Sequence, residues 1–284
     1  MTDCLLLSPE HPLWERVADY AQSCSWDAGK ALARDMRNRV FSGWEAVVAA
    51  LDGDRICGYC SVSKKDCMPE LPYTPYVGFV FVDEAYRGRR LSRRMLDFAA
   101  DYLKSVGFHE VYLASDHVNL YEKYGFAAVD RKRAFWGGME TIYRKELVRL
   151  DGLPLRALQP SQFYVSEAKL AEIARWFDPD DLSNFEPIPV RLLDGILMMT
   201  DGHTRAVAAI RAGLTAVPLQ WEPDEWDWEM YRRCVRECRE RGVVSPHDLT
   251  DRVVSAADYR TLWMDWCDDM HAQVGAEREK QGNH

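Results

Sequence analysis

The chain has 284 residues, of which 47% are hydrophobic and 29% charged, a composition typical of a globular protein with two domains. It has no apolar run of about 18 residues that could cross a membrane, and its N-terminal sequence lacks the basic and apolar regions of a signal peptide. We therefore expect a cytoplasmic protein without a membrane partner. The net charge of −9 arises entirely from residues 151–284, which disfavours nucleic acid as a partner; the composition leaves the oligomeric state unknown.

Eight cysteines are present, as is common for free thiols in a reducing compartment. Cys57 and Cys60 form a CxxC pair inside an apolar, strand-like run, where residues three apart face opposite sides. No second CxxC pair and no pair of histidines follows. The sequence therefore predicts buried thiols and no metal site.

Residues 1–150 are predicted to form one domain that begins with a helical stretch and continues with strands and helices. In chain order, the predicted elements are a helical region from about Pro9 to Val40, strands Glu45–Leu51 and Arg55–Val62 around an Asp52–Gly53 turn, a loop with Pro69, Pro72 and Pro75, strand Tyr76–Val82, helix Leu91–Val106, strand Glu110–Ser115, a short helix Leu120–Tyr124, and strands Phe126–Asp130 and Glu140–Leu147.

The segment 80–96 joins a strand to an amphipathic helix through a tight turn at Gly88. Five arginines lie within residues 87–94. The unpaired N–H groups and the dipole of a helix start favour an anion, and arginines add charge and bidentate donors. This chemistry suits a pyrophosphate held mainly by backbone amides. A solvated basic helix start is the alternative interpretation.

The same segment resembles the signature of the GNAT superfamily of acetyltransferases, Arg/Gln-x-x-Gly-x-Gly/Ala after the fourth strand. Arg87 matches the first position, whereas Arg90 and Ser92 take the places of the two glycines. Glycine lets the backbone approach the phosphates, so both departures bear on cofactor binding. The resemblance implies an α/β (α+β) fold, with a mixed sheet flanked by helices, and acetyl-CoA as cofactor. It assigns cofactor binding to Arg87, Gly88, Arg89, Arg90, Leu91 and Ser92.

A second segment, within residues 116–126, resembles the family's Asn-x-x-Tyr-x-x-x-Gly-Phe stretch, with Tyr121, Gly125 and Phe126 in register and Asn119 one residue nearer to the tyrosine. In the family the Asn helps to hold the cofactor and the Tyr protonates the leaving thiolate of CoA. The resemblance, which covers about residues 40–147, thus assigns Asn119 to cofactor binding and Tyr121 to general acid catalysis. Tyr124 is the alternative acid.

In this family, N–H groups of the fourth strand polarise the thioester carbonyl, which places Phe81 and Val82 beside the acetyl group. A free tyrosine titrates at about pH 10, somewhat above a thiol, so Tyr121 can donate a proton to the CoA thiolate. The catalytic base stays open between His117, which follows a predicted strand, and a chain of water molecules. The acceptor is a small-molecule or peptide amine that the sequence does not identify.

Residues 151–154, Asp-Gly-Leu-Pro, separate this domain from the second half of the chain. The predicted elements there are helix Glu167–Phe177, strands Ile188–Leu193 and Ile196–Thr200, helix Thr204–Ala212, strand Ala216–Gln220, and helices to the end. We expect a smaller α+β domain over residues 151–221 and a helical extension over residues 222–284 that packs on it.

The loop Asp201-Gly202-His203-Thr204-Arg205 lies between a predicted strand and an Ala-rich helix. Thr204 can cap the helix, and Arg205 with the free N–H groups can hold a phosphate. Asp201 can bind Mg²⁺. His203 either donates to the phosphate or ties the loop to a neighbouring strand. A capped turn without a ligand is the alternative interpretation.

This loop and its flanks, about residues 155–220, resemble the ParB/sulfiredoxin-like superfamily, whose strand–helix box binds nucleotide phosphates. Thr200 and Asp201 stand where a sulfiredoxin needs a cysteine, so reductase chemistry is not expected. The box is most similar to that of the kinase-like members, in which a Glu near the first helix acts in catalysis; Glu167 is the candidate here. The resemblance implies ATP or CTP, with Mg²⁺, as a ligand of this half.

Three functions are therefore open. The first is an acetyltransferase with an accessory nucleotide-binding domain. The second is a nucleotide-dependent, kinase-like enzyme with the GNAT half adding a second step. The third is a non-enzymatic sensor of CoA and nucleotide, which the departures at Arg90 and Ser92 favour, whereas the Tyr121 segment favours the first.

Overall fold

The computed structural model describes residues 2–68 and 70–282. Pro69 of the predicted proline-containing loop and the last two residues of the predicted helical extension lie outside the described residues. The chain divides into two compact units, Met1–Val148 and Arg149–His284, and each has its own hydrophobic core.

In the first unit, the described strands form one seven-stranded sheet with helices on both faces. The elements are β1 (Thr2–Leu7), α1 (Trp14–Ser23), α2 (Ala28–Arg37), β2 (Ala46–Asp52), β3 (Arg55–Ser63), β4 (Tyr76–Val82), α3 (Leu91–Ser105), β5 (Glu110–Ser115), β6 (Ala127–Arg133) and β7 (Met139–Glu146). The segment predicted as a short helix is a 3-10 turn, Glu122–Tyr124.

The N-terminal strand β1 is absent from the sequence prediction. It is an edge strand that pairs only with β2, for example Leu6 with Val48. Its apolar run of four residues is too short for periodicity to separate a strand from a helix. The predicted helical region is thus preceded by a strand and contains two separate helices.

The strand order is β1-β2-β3-β4-β5-β7-β6, and β4–β5 is the parallel pair in an otherwise antiparallel sheet. Alternate residues of β2 face opposite sides, as strand geometry requires. Val47 and Ala49 pack beneath α1 and α2, while Val48 and Ala50 pack against α3. The sheet is therefore buried on both faces in its central strands.

The pairing between β4 and β5 is confined to one end of β4. Tyr76 pairs with Tyr112, and no later residue of β4 has a partner in β5 among the described residues. At the same place the register of β3 with β4 shifts, and Phe79 adopts a left-handed backbone conformation with φ 50°. This bulge bends β4 away from β5, as bulges do, and opens the sheet beyond Gly78.

The second unit is a smaller α+β arrangement. It contains β8 (Val165–Ser166), α4 (Glu167–Ile173), β9 (Ile188–Leu193), β10 (Ile196–Met199), α5 (His203–Arg211), β11 (Leu219–Trp221), α6 (Trp228–Glu240), β12 (Val253–Val254), α7 (Ala256–Tyr259) and α8 (Asp265–Gly282). The described strands form a three-stranded sheet in the order β10-β9-β11 and a short pair, β12 with β8.

The helical region at the end of the chain contains one irregular turn. Residues 260–264 form a π-helical turn, which inserts a residue relative to an α-helix. Trp263 and Trp266 both pack against the buried ring of Phe163, and Leu262 is exposed. In the part of the chain that the structure describes, no helix has the length and apolar character needed to span a membrane.

Candidate functional site

The turn before α3 presents a row of free backbone donors. Within the described residues, the N–H groups of residues 88–93 have no hydrogen-bond acceptor. Gly88 (φ 79°) and Arg90 (φ 57°) both adopt left-handed conformations, which fold the turn back toward the helix start. A concave run of amides at the positive end of a fifteen-residue helix is suited to an anion such as a phosphate.

Arg90 occupies the left-handed position that the family signature gives to glycine. The conformation costs an L-residue about 1–2 kcal/mol, yet the turn retains it. Ser92 lies inside the first turn of α3 with ordinary helical geometry. The two departures from the signature therefore change side chains without removing the backbone donors.

The arginine side chains of this turn divide into engaged and free groups. Arg87 donates to the carbonyl of Val82 and pairs with Glu84 at 2.8 Å. Arg89 lies over the ring of Tyr86, 5.1 Å from its centre. Arg90 is exposed, and its guanidinium has no partner among the described residues. Arg90 is thus the side chain most available to an incoming anion.

The opened edge of β4 is the second part of the site. Asp83 donates its N–H to Cys57 of β3, so strand alternation directs the backbone of Val80 and Val82 toward β5, where no strand pairs with them in the described chain. The ring of Phe81 is buried against Tyr59. The structure thus brings Val82 to the opening together with Val80, which the sequence did not single out, and turns Phe81 away from it.

Tyr121 lies in the core beside the end of β5. Its side chain is 6% exposed, and the Ser115 hydroxyl lies close to its phenol. Burial raises the pKa of Tyr121 to about 12, although the Ser115 hydroxyl opposes the shift. The phenol is therefore protonated at neutral pH and can act as a proton donor.

Ser115 connects the buried Tyr121 to an exposed histidine. Its Oγ lies 3.0 Å from Nδ1 of His117, which in turn lies 3.3 Å from Asp116. The His117 side chain is exposed at the end of β5. Tyr121, Ser115 and His117 therefore follow one another from the core to the surface, and each carries an exchangeable proton.

Tyr124 has a separate position. Its hydroxyl lies 3.1 Å from the Ser92 hydroxyl in the first turn of α3. Tyr124 is therefore near the free amides of this turn and is separate from Ser115 and His117. Asn119 is exposed, with a left-handed backbone at φ 62°. The two tyrosines of the 116–126 segment therefore lie in different places, Tyr124 at the start of α3 and Tyr121 beside Ser115.

Two carboxylates, those of Asp66 and Glu140, were not found from the sequence. Asp66 lies in the loop after β3, and its Oδ1 accepts a hydrogen bond from the N–H of Cys67. Glu140 is 9% exposed on β7. The burial of Glu140 could have been predicted from the sequence, because it lies two residues before the apolar Ile142 and so shares its face of the strand. The burial of Asp66 could not, since it follows two lysines in a polar loop.

In the second unit, the loop that was predicted to bind phosphate leads into the start of α5. Gly202 has a left-handed backbone (φ 79°), and within the described residues the N–H groups of residues 203–205 have no acceptor. Thr204 is partly buried, and Asp201 and Glu167 are exposed. Thr204 makes no side-chain cap, a role the sequence had suggested for it.

The side chains of His203 and Arg205 are committed to other groups. The buried His203 accepts at Nε2 from the Ser161 N–H, and burial lowers its pKa to about 4, so the ring is neutral and ties the loop to its neighbour. Arg205 pairs with Glu186 and lies 3.7 Å from Asp201. Neither group offers a free positive charge in this conformation.

Comparison with known proteins places the first unit in a family. The family model described as the acetyltransferase (GNAT) family matches residues 13–126. The uncharacterized N-acetyltransferase YhbS of Escherichia coli K12 is 30% identical over 129 residues, which is 45% of this chain and 76% of that protein.

Solved structures similar to this chain include two acetyltransferases. One is Escherichia coli YhbS in complex with CoA, with 24% identity over 52% of this chain and 82% of that chain and a TM-score of 0.42. Another is the aminoglycoside 6'-N-acetyltransferase from Enterococcus faecium, with 13% identity over 52% of this chain and 98% of that chain and a TM-score of 0.40. On the match to YhbS and to the family model, the chain belongs to the acetyltransferase (GNAT) family.

Proposed function

We propose that the first unit transfers the acetyl group of acetyl-CoA to an amine. The proposal rests on two neighbouring features, the free amides at the start of α3 and the unpaired edge of β4. Six consecutive amides at the start of α3 are free to bind a pyrophosphate, and the strand that leads to them is unpaired with β5 at Val80 and Val82 in the described chain. Membership of an acetyltransferase family supports the same conclusion.

The residues present fit a bound acetyl-CoA. Residues 88–93 would hold the pyrophosphate through backbone N–H groups, with Arg90 adding charge. Acetyl-CoA supplies the activated acetyl group. The N–H groups of Val80 and Val82 would stabilise negative charge that develops on the carbonyl oxygen, as preorganised donors do in acyl transfer.

Tyr121 would donate its proton to the departing sulfur. Its raised pKa keeps the proton on the phenol until the sulfur carries charge. The Ser115 hydroxyl stabilises the phenolate, and the chain through Ser115 and His117 provides a route by which the proton is replaced.

Isothermal titration with acetyl-CoA and with acetylpantetheine, which lacks the phosphates, tests the proposal. We expect acetyl-CoA to bind at least tenfold more tightly than acetylpantetheine. Arg90→Ala should weaken acetyl-CoA binding by roughly 1.5–3 kcal/mol, the typical value of a hydrogen bond to a charged group, and leave acetylpantetheine binding unchanged. No binding of acetyl-CoA or CoA at millimolar concentrations would overturn the proposal.

For the second unit we propose a separate role, the binding of ATP or CTP phosphates at the start of α5, with Mg²⁺ at Asp201. The three free amides of residues 203–205 support this role. Arg205 would have to exchange Glu186 for a phosphate, so the two anions compete for one guanidinium.

A further inference from the structure

Two polar side chains converge on one spot beside the backbone of Gly78, one residue before the bulge of β4. A Cβ atom at Gly78 would lie 3.1 Å from Oδ2 of Asp66 and 3.3 Å from Oγ of Ser61. Both oxygens therefore face the same point beside the backbone of β4. Ser61 shares strand parity with Tyr59, which packs under α1 and α2, so the spot lies on that face of the sheet.

The polar groups around this spot lack partners. The Ser61 and Tyr76 side chains are each 1% exposed, and within the described residues neither hydroxyl has a hydrogen-bond partner. Buried hydroxyls are normally satisfied, because an unmade hydrogen bond there costs about 1–3 kcal/mol. The Ser61 hydroxyl is therefore a built-in position for a polar ligand atom.

The charges around the spot are also unbalanced. In the described part of the chain, neither Asp66 nor Glu140 forms an ion pair with Arg or Lys. Burial raises the pKa of Asp66 to about 6, with a contribution from Glu140, and burial also raises the pKa of Glu140. Burial disfavours the ionised form of a carboxyl group, and a positive charge beside it would stabilise that form.

Most titratable groups near these carboxylates are acids or weak acids. Cys67, Tyr73, Tyr76 and Asp130 lie on the Asp66 side, and Asp116 lies on the Glu140 side. Two groups are basic: Lys132 pairs with Asp130 at 3.4 Å, and the charge of His117 opposes the shift of Glu140. The spot is thus negative and has donors and acceptors in place for a cation that can also donate hydrogen bonds.

We propose that Asp66 and Glu140 bind the ammonium group of a cationic primary amine over Gly78, and that Asp66 takes a proton from it before the nitrogen attacks. This inference rests on the proposed acetyl transfer and names its acceptor class and its base. Val80 lies two residues further along β4, roughly 7 Å at the rise of a strand. The amine would therefore be held next to the proposed acetyl site on the same strand, and its nitrogen would approach the carbonyl after it has lost its proton.

The protons of this step balance with Asp66, Tyr121 and solvent as donors and acceptors. The ammonium loses two protons as its nitrogen forms the amide bond and the carbon–sulfur bond breaks. Asp66 takes the first proton and releases it to water. Tyr121 gives a proton to the sulfur, and the second proton from nitrogen replaces it through Ser115 and His117. One proton leaves with CoA as its thiol and one enters solvent.

The first experiment measures amine binding independently of acetyl transfer. The full-length protein is titrated with pentylamine and with the uncharged 1-pentanol at pH 8, with the melting temperature as readout. We expect pentylamine alone to stabilise the wild type, and Asp66→Asn and Glu140→Gln each to weaken its apparent affinity at least tenfold. Asp101→Asn, an exposed carboxylate on α3, is the matched control and should bind as the wild type does.

Equal stabilisation by the alcohol, or unchanged amine binding in Asp66→Asn, would overturn the inference. Asp66→Asn and Glu140→Gln keep the volume of the side chain. An unchanged or higher melting temperature in the absence of amine shows that both variants fold. Because this readout does not need acetyl-CoA, it separates failure of the acceptor site from failure of the proposed function.

The second experiment tests the role of Asp66 as base. With acetyl-CoA and 1,5-diaminopentane as substrates, we expect Asp66→Asn to lower kcat by roughly 10²–10⁴-fold and to abolish the acidic limb of the pH–rate profile. The affinity for acetyl-CoA by isothermal titration should not change. An Asp66→Asn enzyme that keeps both its kcat and its acidic limb, or a wild type that acetylates only uncharged arylamines, would show that the inference is wrong.

Discussion

Burial gives Tyr121 the protonation state that a proton donor needs. Its hydroxyl lies in the core, keeps its proton at neutral pH and contacts Ser115. Tyr121→Phe should therefore lower the acetylation rate by roughly 10²–10⁴-fold with little change in acetyl-CoA affinity, as for loss of a general acid. Steady-state kinetics with saturating amine, together with titration of acetyl-CoA, measure the two quantities.

Tyr124→Phe is the matched control for that variant. It removes the contact with Ser92 at the start of α3 and leaves the Tyr121 hydroxyl in place. We expect a change in acetyl-CoA affinity and a smaller effect on kcat. Full turnover in Tyr121→Phe would assign Tyr121 a structural role and return Tyr124 as the candidate acid.

Asp66 should make stability depend on pH. Its folded pKa is raised from 3.8 to about 6, so its favourable contribution is present below pH 3.8 and is lost as the pH rises through 6. Asp66→Asn should therefore gain about 1–3 kcal/mol over the wild type at about pH 7.5 and little at about pH 4, since partial exposure screens the penalty.

Urea unfolding of both proteins at the two pH values measures this difference. Asp101→Asn again serves as the control and should show the same small difference at both values. A gain for Asp66→Asn that is equal at the two pH values would contradict the assignment of the raised pKa to Asp66.

At the scale of elements, the turn before α3 depends on backbone conformation. Gly88 has φ 79°, and a Cβ added there would have no neighbouring atom within 4 Å, so Gly88→Ala meets strain without a steric clash. We expect it to cost about 1 kcal/mol of stability. Because the strain redirects the amides of the turn, we also expect acetyl-CoA to bind more weakly.

Gly43→Ala is the matched control, since Gly43 has φ 65° and equal free space. Thermal unfolding and isothermal titration of both variants separate the two effects. Loss of stability should be similar in both, and loss of affinity should be confined to Gly88→Ala. Equal acetyl-CoA affinity in the two variants would show that the turn does not bind the cofactor.

A further prediction concerns nucleotide binding at the start of α5. If nucleotide phosphate competes with Glu186 for Arg205, Glu186→Gln should tighten the binding of ATP or CTP with Mg²⁺, and Arg205→Ala should weaken it by roughly 1.5–3 kcal/mol. Titration of each nucleotide into the full chain measures both. A wild-type protein and a Glu186→Gln variant that both bind neither nucleotide would remove the nucleotide role and the kinase-like alternative.

For the whole molecule, the division into two units has a testable consequence. Every residue proposed to contact acetyl-CoA lies in residues 1–148, and this unit has its own core. A fragment of residues 1–148 should therefore fold and bind acetyl-CoA with the affinity of the full chain. Circular dichroism and isothermal titration test this, and a folded fragment without affinity would place part of the site elsewhere.

The sequence revealed the parts of the fold that periodicity and turn residues encode. The bounds of β4, β5 and β9 are as predicted, because each is an apolar run closed by polar or turn residues. The edge strand β1 was missed since its apolar run is short. The π-helical turn at residues 260–264 was missed because a helical pattern assumes constant pitch.

The candidate site was predictable only where it is local in sequence. The turn at residues 87–92 and Tyr121 lie within short motifs, whereas the contact of Tyr121 with Ser115 depends on where β5 ends. Asp66 and Glu140 come from different elements and meet only in the folded sheet. The surroundings of His203 also depend on the fold, because this histidine lies in a polar stretch of the sequence but is buried and neutral in the structure.

The single residue pair between β4 and β5 leaves an edge in the interior of the sheet. Edge strands are templates for any extended chain that carries amide groups, and proteins normally cover them. Here the uncovered edge lies between two halves of one sheet, so a ligand that pairs with Val80 and Val82 would act as a missing strand. Such a ligand would connect the two halves of the sheet and would slow hydrogen exchange at these amides and at Gly58 of β3, which pairs with Val82.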